Sequence, residues 1–164
     1  MNDAPLIGVL ALQGAFREHR QKFTALGANT REVRLPADLT GLHGLVIPGG
    51  ESTTIGKLAT EWGLLDPIRA LGLAGLPIWG TCAGAIFLAS EVVERGQAIE
   101  QPLLKLMRTR AIRNAFGRQR ESFETELPVS GFGFTTPLHA VFIRAPLVVP
   151  QDDATEVLAV VDEE

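Results

Sequence analysis

Unbroken apolar runs and amphipathic stretches take turns along the first part of the chain. Leu6-Ile7-Gly8-Val9-Leu10-Ala11-Leu12 is apolar throughout, the pattern of a strand buried on both faces, and Gln13-Gly14 turns it. Phe16, His19, Phe23 and Leu26 then recur at steps of three and four, with Arg17, Glu18, Arg20 and Lys22 between them. That spacing predicts an amphipathic helix ended by Gly27. Thr30 to Leu35 reads as a second strand stopped by Pro36, and Gly44-Leu45-Val46-Ile47 as a third, buried one. It runs into Pro48-Gly49-Gly50-Glu51-Ser52-Thr53-Thr54. Ile55, Leu58, Ala59 and Trp62 then mark one helix, and Leu64 to Leu73 another. A short run, Ile78-Trp79, halts at Gly80, and Ala85 to Val93 reads as an apolar helix.

Strand and helix thus alternate from Leu6 to Val93. The expected architecture is α/β: a three-layer, doubly wound, mostly parallel sheet with helices on both faces. Ligands of such sheets gather at the carboxyl ends of the strands. Gln13, Gly49-Gly50 and Cys82 all follow strand exits, so three exits converge on one site.

The second half has a shorter rhythm. Glu94 to Pro102 is polar and reads as a loop. Arg108 to Arg113 and Glu121 to Leu127 read as short, partly alternating strands, and Ser130 to Pro137 as a loop. Ala140-Val141-Phe142-Ile143 is expected to be a buried strand, followed by Arg144-Ala145-Pro146. Val157 to Val161 is expected to be the last strand. No repeat or linker interrupts the chain, which reads as one domain over residues 1–164.

Composition narrows the class. The 164 residues are 46% hydrophobic and 21% charged, which suits a globular domain with a real core. Fifteen basic residues against 19 acidic ones argue against general affinity for nucleic acid, even though Arg108, Arg110, Arg113, Arg118 and Arg120 cluster locally. The single cysteine excludes an internal disulfide and fits a reducing compartment. With no basic leader and no apolar run of spanning length, the expectation is a cytoplasmic protein without a membrane partner.

The chemistry is announced by Gly80-Thr81-Cys82-Ala83-Gly84, a Gly-x-Cys-x-Gly turn between a strand and a helix. Small residues let such a turn tighten until the nucleophile stands at the strand's end, facing the N-terminus of the next helix, which favours negative charge. The alternative is a small buried apolar cysteine; the glycine bracket favours the nucleophile. Gly49-Gly50 offers backbone amides that could meet an oxyanion, or else a tight turn with Thr53 or Thr54 capping a helix.

Four blocks together resemble the glutaminase subunit of pyridoxal 5'-phosphate synthase, a triad-type (class I) glutamine amidotransferase. They are Ile7 to Ala15 with Glu18-His19; Pro48 to Thr54; Gly80 to Gly84; and Arg113-Asn114-Ala115-Phe116-Gly117-Arg118-Gln119 with Ser122-Phe123-Glu124. Phe142-Ile143-Arg144-Ala145-Pro146 adds a fifth, shorter match. The resemblance implies a flavodoxin-like fold and a Cys82 that attacks the side-chain amide of L-glutamine, giving a glutamyl thioester and ammonia. It implies that Gly50, Glu51 and Ser52 form the substrate turn, that Arg113 binds glutamine, and that Ile143 and Arg144 line the same pocket. Gly49 and Gln13 would lie near the oxyanion site, Gln13 also near the interface with a synthase subunit that receives the ammonia. No cofactor or metal is implied for this chain. Glutamine carries a carboxylate and an ammonium, so Arg113 or Arg144 could meet the first and Glu51 the second.

One element of the family pattern is missing. The class completes its triad with a C-terminal His-x-Glu, and none of His19, His43 or His139 has a glutamate two residues later. Each reads as structural. The expectation is a chain that lacks its His-x-Glu segment, and the alternative is a catalytically inactive partner of the synthase. A stress protein with a cysteine elbow is a third reading, weakened by the Arg113 to Gln119 block.

Overall fold

The structure is a computed structural model and describes residues 4–114 and 122–161. Its first half builds one parallel sheet. Strands β1 (Leu6–Leu10), β2 (Asn29–Val33), β3 (Gly44–Ile47) and β4 (Ile78–Gly80) lie in the order β2-β1-β3-β4, each pair parallel. Helices α1 (Phe16–Ala25), α2 (Ser52–Glu61) and α3 (Leu65–Leu73) make the crossovers, with a 3-10 turn at Pro36–Leu39, and α4 (Ala83–Leu88) leaves β4.

Both faces of this sheet are covered, as the alternating pattern requires. Register sets Val9 beside Val46 and Val46 beside Trp79, so these three share a face. Helix α1 lies over that face, with the rings of His19 and Phe23 edge-on to Trp79 at 6.0 and 6.2 Å. The intervening residues point the other way. There Leu10, Val33, Leu45 and Ile47 pack with Ile55, Ala59, Leu64, Ile68 and Phe87 from α2, α4 and the start and body of α3. Ile55, Ile68 and Phe87 are almost fully buried, and each such side chain stabilises the fold by about 1.5–3 kcal/mol.

The second half does not extend this sheet. Strands β5 (Ala89–Glu94), β6 (Gln97–Ala98), β7 (Met107–Arg113) and β10 (Leu147–Pro150) form a mixed sheet in the order β10-β7-β5-β6. β5 and β7 are parallel; the other two pairs are antiparallel. β8 (Ser122–Leu127) and β9 (Leu138–Ile143) form a separate antiparallel ribbon.

Four expectations need correction here. The helix expected over 85–93 stops at Leu88, and Ala89 onward becomes β5. Pairing with β7 wins over the local apolar pattern, helped by the Ser90 hydroxyl donating to the Met107 carbonyl at 2.7 Å. The segment 94–102 is no bare loop, since β6 folds back on β5. The chain that follows is pinned by Arg69, whose Nε and Nη2 donate to the carbonyls of Leu104 and Leu103, both at 2.8 Å. The strand at 140–143 exists but is not buried. Among the described residues it pairs only with β8, and Val141 and Ile143 are more than half exposed. Residues 157–161 form no strand; the segment that pairs is 147–150, which bonds to β7. Arg118, Arg120 and the rest of 115–121 lie outside the described residues, as do 162–164.

Candidate active site

Cys82 stands at the end of β4 with φ 51° and ψ −109°. A non-glycine residue in that region is strained, and such strain concentrates where a side chain must be held up for use. Its thiol is exposed. The glycines on either side make the turn possible. A Cβ on Gly80 would come within 2.5 Å of the Gly84 carbonyl, and one on Gly84 would run into the Ile47 carbonyl oxygen. The turn is closed by Thr81 N–H donating to the Ile47 carbonyl at 3.1 Å and by Gly84 N–H donating to the Thr81 carbonyl at 2.9 Å.

The other two strand exits are fastened to this one. Gly14, at φ 99°, packs so closely on the Gly49 carbonyl that no side chain fits between them. The Ala15 amide donates to that same carbonyl at 3.0 Å. Gln13 Oε1 accepts the Glu51 amide at 2.7 Å, and the Gly49 amide donates to Thr81 Oγ1 at 3.1 Å. The Gly49 N–H is therefore already in use. Among the described residues the amides of Gly50 and Ala83 have no acceptor, and both residues line the cavity beside Cys82.

Glu51 caps α2, so neither Thr53 nor Thr54 fills the capping role that the alternative reading of this turn gave them. Its carboxylate accepts the amides of Thr53 and Thr54 at 3.1 and 2.7 Å and the Thr54 hydroxyl at 2.7 Å. Burial pushes its pKa up, but the Thr54 hydroxyl and these amides outweigh that and bring it down to about 2. Arg113 stands 3.6 Å from Glu51 Oε1, and its Nη1 donates to Thr53 Oγ1 at 3.4 Å. Behind it the hydroxyls of Thr53 and Ser52 donate to Gln101 Oε1 at 3.2 and 3.4 Å.

These groups surround a cavity of about 290 Å³. The α2 turn contributes Gly50, Glu51 and Ser52, and the elbow contributes Cys82, Ala83 and Ile86. The end of β7 supplies Arg113 and Asn114, and the ribbon supplies Ile143, Arg144 and Pro146. Gln13 and Gly49 stand behind the wall and brace it. Ala83, Ile86, Asn114 and Pro146 escaped the sequence reading. Ile86 was within reach, since it lies one helical turn past Cys82 on the same face. Asn114 sits at φ 52° and donates its side-chain amide to Glu94; a positive φ leaves little trace in sequence beyond the presence of Asn. Arg144, also at positive φ, has no hydrogen bond or ion pair among the described residues.

None of the histidines hydrogen-bonds to Cys82. His43 Nδ1 accepts the Leu6 amide at 3.1 Å, a purely structural bond. His139 lies on the ribbon, its ring nitrogens 2.9 and 3.0 Å from Glu126 and Glu124. Its hydrogen bonds to Glu126 first and then to Glu124, whose carboxylates accept, raise its pKa above the ordinary 6.5. His19 packs against the elbow from α1 and bonds to Thr81. No group of three or more His, Cys, Asp or Glu side chains among the described residues could hold a metal ion.

Over residues 9–164 the sequence matches the SNO glutamine amidotransferase family. The chain belongs to that family. It is 54% identical over 157 residues to the pyridoxal 5'-phosphate synthase subunit PdxT of Herpetosiphon aurantiacus, covering 96% of this chain and 82% of that one. The PdxT of Deinococcus radiodurans is also 54% identical, over 93% of this chain and 78% of its own length. A crystal structure of a glutamine amidotransferase superposes with a TM-score of 0.84 at 51% identity, covering 93% of this chain and 78% of that one. PurLQS from Thermotoga maritima shares the fold, with a TM-score of 0.66 at 17% identity over 97% of this chain and 76% of its own. The α/β fold with a parallel sheet and a mixed second sheet is thus that of the glutamine amidotransferases. No described helix of this family member is long and apolar enough to cross a membrane.

Proposed function

We propose that this chain is the glutaminase subunit of a pyridoxal 5'-phosphate synthase, hydrolysing L-glutamine to L-glutamate and ammonia. The ammonia passes to a separate synthase subunit, which makes the cofactor in the cytoplasm. The observation that carries this reading is the strained, exposed Cys82 beside two unengaged amides, in a cavity that also holds a free guanidinium and an ionised carboxylate.

In the first step the Cys82 sulfur adds to the side-chain amide carbon. The carbonyl oxygen becomes an oxyanion between the Gly50 and Ala83 N–H groups, the pairing of a nucleophile elbow. One such donor is worth about a hundred- to a thousandfold in rate. Collapse of the intermediate breaks the C–N bond, and the nitrogen leaves with a proton as ammonia. Water then cleaves the thioester, giving glutamate and restoring the thiol. At the other end of the substrate, Arg144, without a partner among the described residues, is available to the α-carboxylate, whereas Arg113 is partly engaged by Glu51 and Thr53. Glu51, ionised at any pH well above 2, attracts the α-ammonium even while it caps α2.

The base and acid of these steps are assigned to the family's His-x-Glu pair, which the 164 residues do not contain. With all three histidines bonded elsewhere, a second reading is that these residues bind glutamine and the synthase without turnover. Ammonia release from glutamine separates the two. It is measured for the chain alone, with the synthase subunit of a PdxT-containing relative, and for Cys82→Ala in both settings. Release that depends on Cys82 supports the glutaminase. Silence in every arm, with glutamine still bound, supports the second reading.

A further inference from the structure

The function proposed above uses the elbow and the Gly50 amide but leaves unexplained what aims them. A bonded chain runs behind the cavity from the first turn of α1 to the residue before the nucleophile. His19 Nδ1 lies 2.8 Å from the Ala15 carbonyl, which can only accept, so this nitrogen carries a hydrogen. In the neutral ring Nε2 is then an acceptor, and the Thr81 hydroxyl, 3.2 Å away, donates to it. With its hydrogen committed, Thr81 Oγ1 presents its lone pairs to the Gly49 amide at 3.1 Å. The circuit closes where the Ala15 amide donates to the Gly49 carbonyl at 3.0 Å. The two peptides that meet at Gly49 are thus each held from the side of His19: the 48–49 peptide at its N–H by Thr81 Oγ1, and the 49–50 peptide, which carries the Gly50 N–H, at its C=O by the amide of Ala15, whose own carbonyl His19 grips.

We infer that His19 is a positioning residue for the amidotransferase reaction: it holds the peptide before Gly49 through Thr81 and anchors Ala15, whose amide grips the Gly49 carbonyl, so that the Gly50 N–H of that same peptide is aimed at the oxyanion. Two features make the device specific rather than general packing. The Gly49–Gly50 turn has no side chains with which to hold its own orientation, and a Cβ on Gly49 would stand 3.2 Å from the Cys82 Cβ. Thr81 is covalently next to Cys82, so one hydroxyl ties the turn to the nucleophile. His19 touches neither the cavity nor the substrate, and its effect is confined to geometry. A displacement of order 1 Å at a reacting centre costs about a hundredfold, so a loosened turn is felt in the covalent step before it is felt in binding.

This inference rests on the proposed glutamine site, and its test uses a readout that separates the two. The full chain is treated with a glutamine-analogue chloroketone, whose addition to Cys82 also passes through an oxyanion. The first-order inactivation constant and the half-saturating concentration are measured separately. Labelling of the parent at Cys82 that glutamine does not block would sink the site itself, and the inference with it. Given a blocked parent, His19→Leu and Thr81→Val are each expected to slow the covalent step about tenfold or more, with half-saturation changed less than about twofold. Thr81→Ser, which keeps the hydroxyl, recovers most of the rate. So does His19→Gln, which keeps an acceptor near Nε2. The double variant His19→Leu/Thr81→Val is no slower than the slower single one, because both cut the same circuit. Parent-like rates in both single variants would overturn the positioning role. So would equal losses in rate and half-saturation, or losses that multiply in the double variant.

Discussion

The two walls of the cavity are built on opposite principles. On one side, three parallel strand exits are clamped backbone to backbone. Gly14 lies on the Gly49 carbonyl, Gly84 on the Ile47 carbonyl, and Gly80 on the Gly84 peptide, with no side chain between them. On the other side, Ile143 and Arg144 hang from a two-stranded ribbon that no third described strand flanks, braced across its strands by the Phe123–Phe142 stack at 4.7 Å and the His139 bonds to Glu124 and Glu126. On the proposed function the first wall holds the reacting atoms, where tenths of an ångström matter. The second carries a guanidinium, whose long side chain tolerates adjustment. On that proposal, rigidity is placed where the bond is made, and latitude where the substrate's far end is gripped.

Substitutions can break this contrast in graded steps. Cys82→Ala removes the only group able to form the thioester, and loss of a nucleophile of this kind costs on the order of a millionfold; no Cys82-dependent ammonia should remain. Gly84→Ala drives a methyl into the Ile47 carbonyl, a backbone atom that cannot step aside. It should destabilise the fold by about 3 kcal/mol, at the upper end for overpacking, read as a lower urea midpoint with the thiol labelling lost in parallel. Arg144→Ala should leave that midpoint unchanged and raise the half-saturating glutamine concentration about tenfold, the worth of a charge-assisted hydrogen bond. A matching fall in stability would show that the ribbon wall is as tightly built as the other.

Charge distinguishes the walls more gently. The folded pKa of Glu51, about 2, lies below the ordinary 4.5. Its contribution is therefore present above pH 4.5 and is lost as the pH falls toward 2. Glu51→Gln should flatten that acid limb. His139 runs the other way. Its folded pKa is raised above 6.5, so its contribution is complete below pH 6.5 and fades as the pH rises through the folded value. His139→Gln should flatten this alkaline-side loss, and because the ribbon is exposed this is the smallest effect of the set.

The same contrast explains what could be read in the sequence. The parallel sheet was legible because strands buried on both faces must be apolar throughout and their crossovers must be amphipathic. The elbow was legible because only small residues fit a turn so tight. The ribbon half was harder. Val141 and Ile143 look like core residues, yet they are exposed, since among the described residues β9 has only β8 for a partner. Val157 to Val161 has strand composition but finds no strand to pair with, while Leu147 to Pro150, bracketed by prolines, pairs with β7. Strand composition states a preference; the partner is decided by the rest of the fold. The role of Glu51 as a cap was hidden for a related reason, since a carboxylate before Ser-Thr-Thr suits a helix N-terminus and a cationic ligand equally well.

The account stands on the cavity being a glutamine site with Cys82 as its nucleophile. The most direct test is mass-spectrometric mapping of the chloroketone-treated chain, with and without saturating L-glutamine and with D-glutamine as control. The account predicts one adduct, on Cys82, suppressed by L-glutamine and unaffected by D-glutamine. An adduct on Cys82 that forms equally fast under saturating L-glutamine would contradict it.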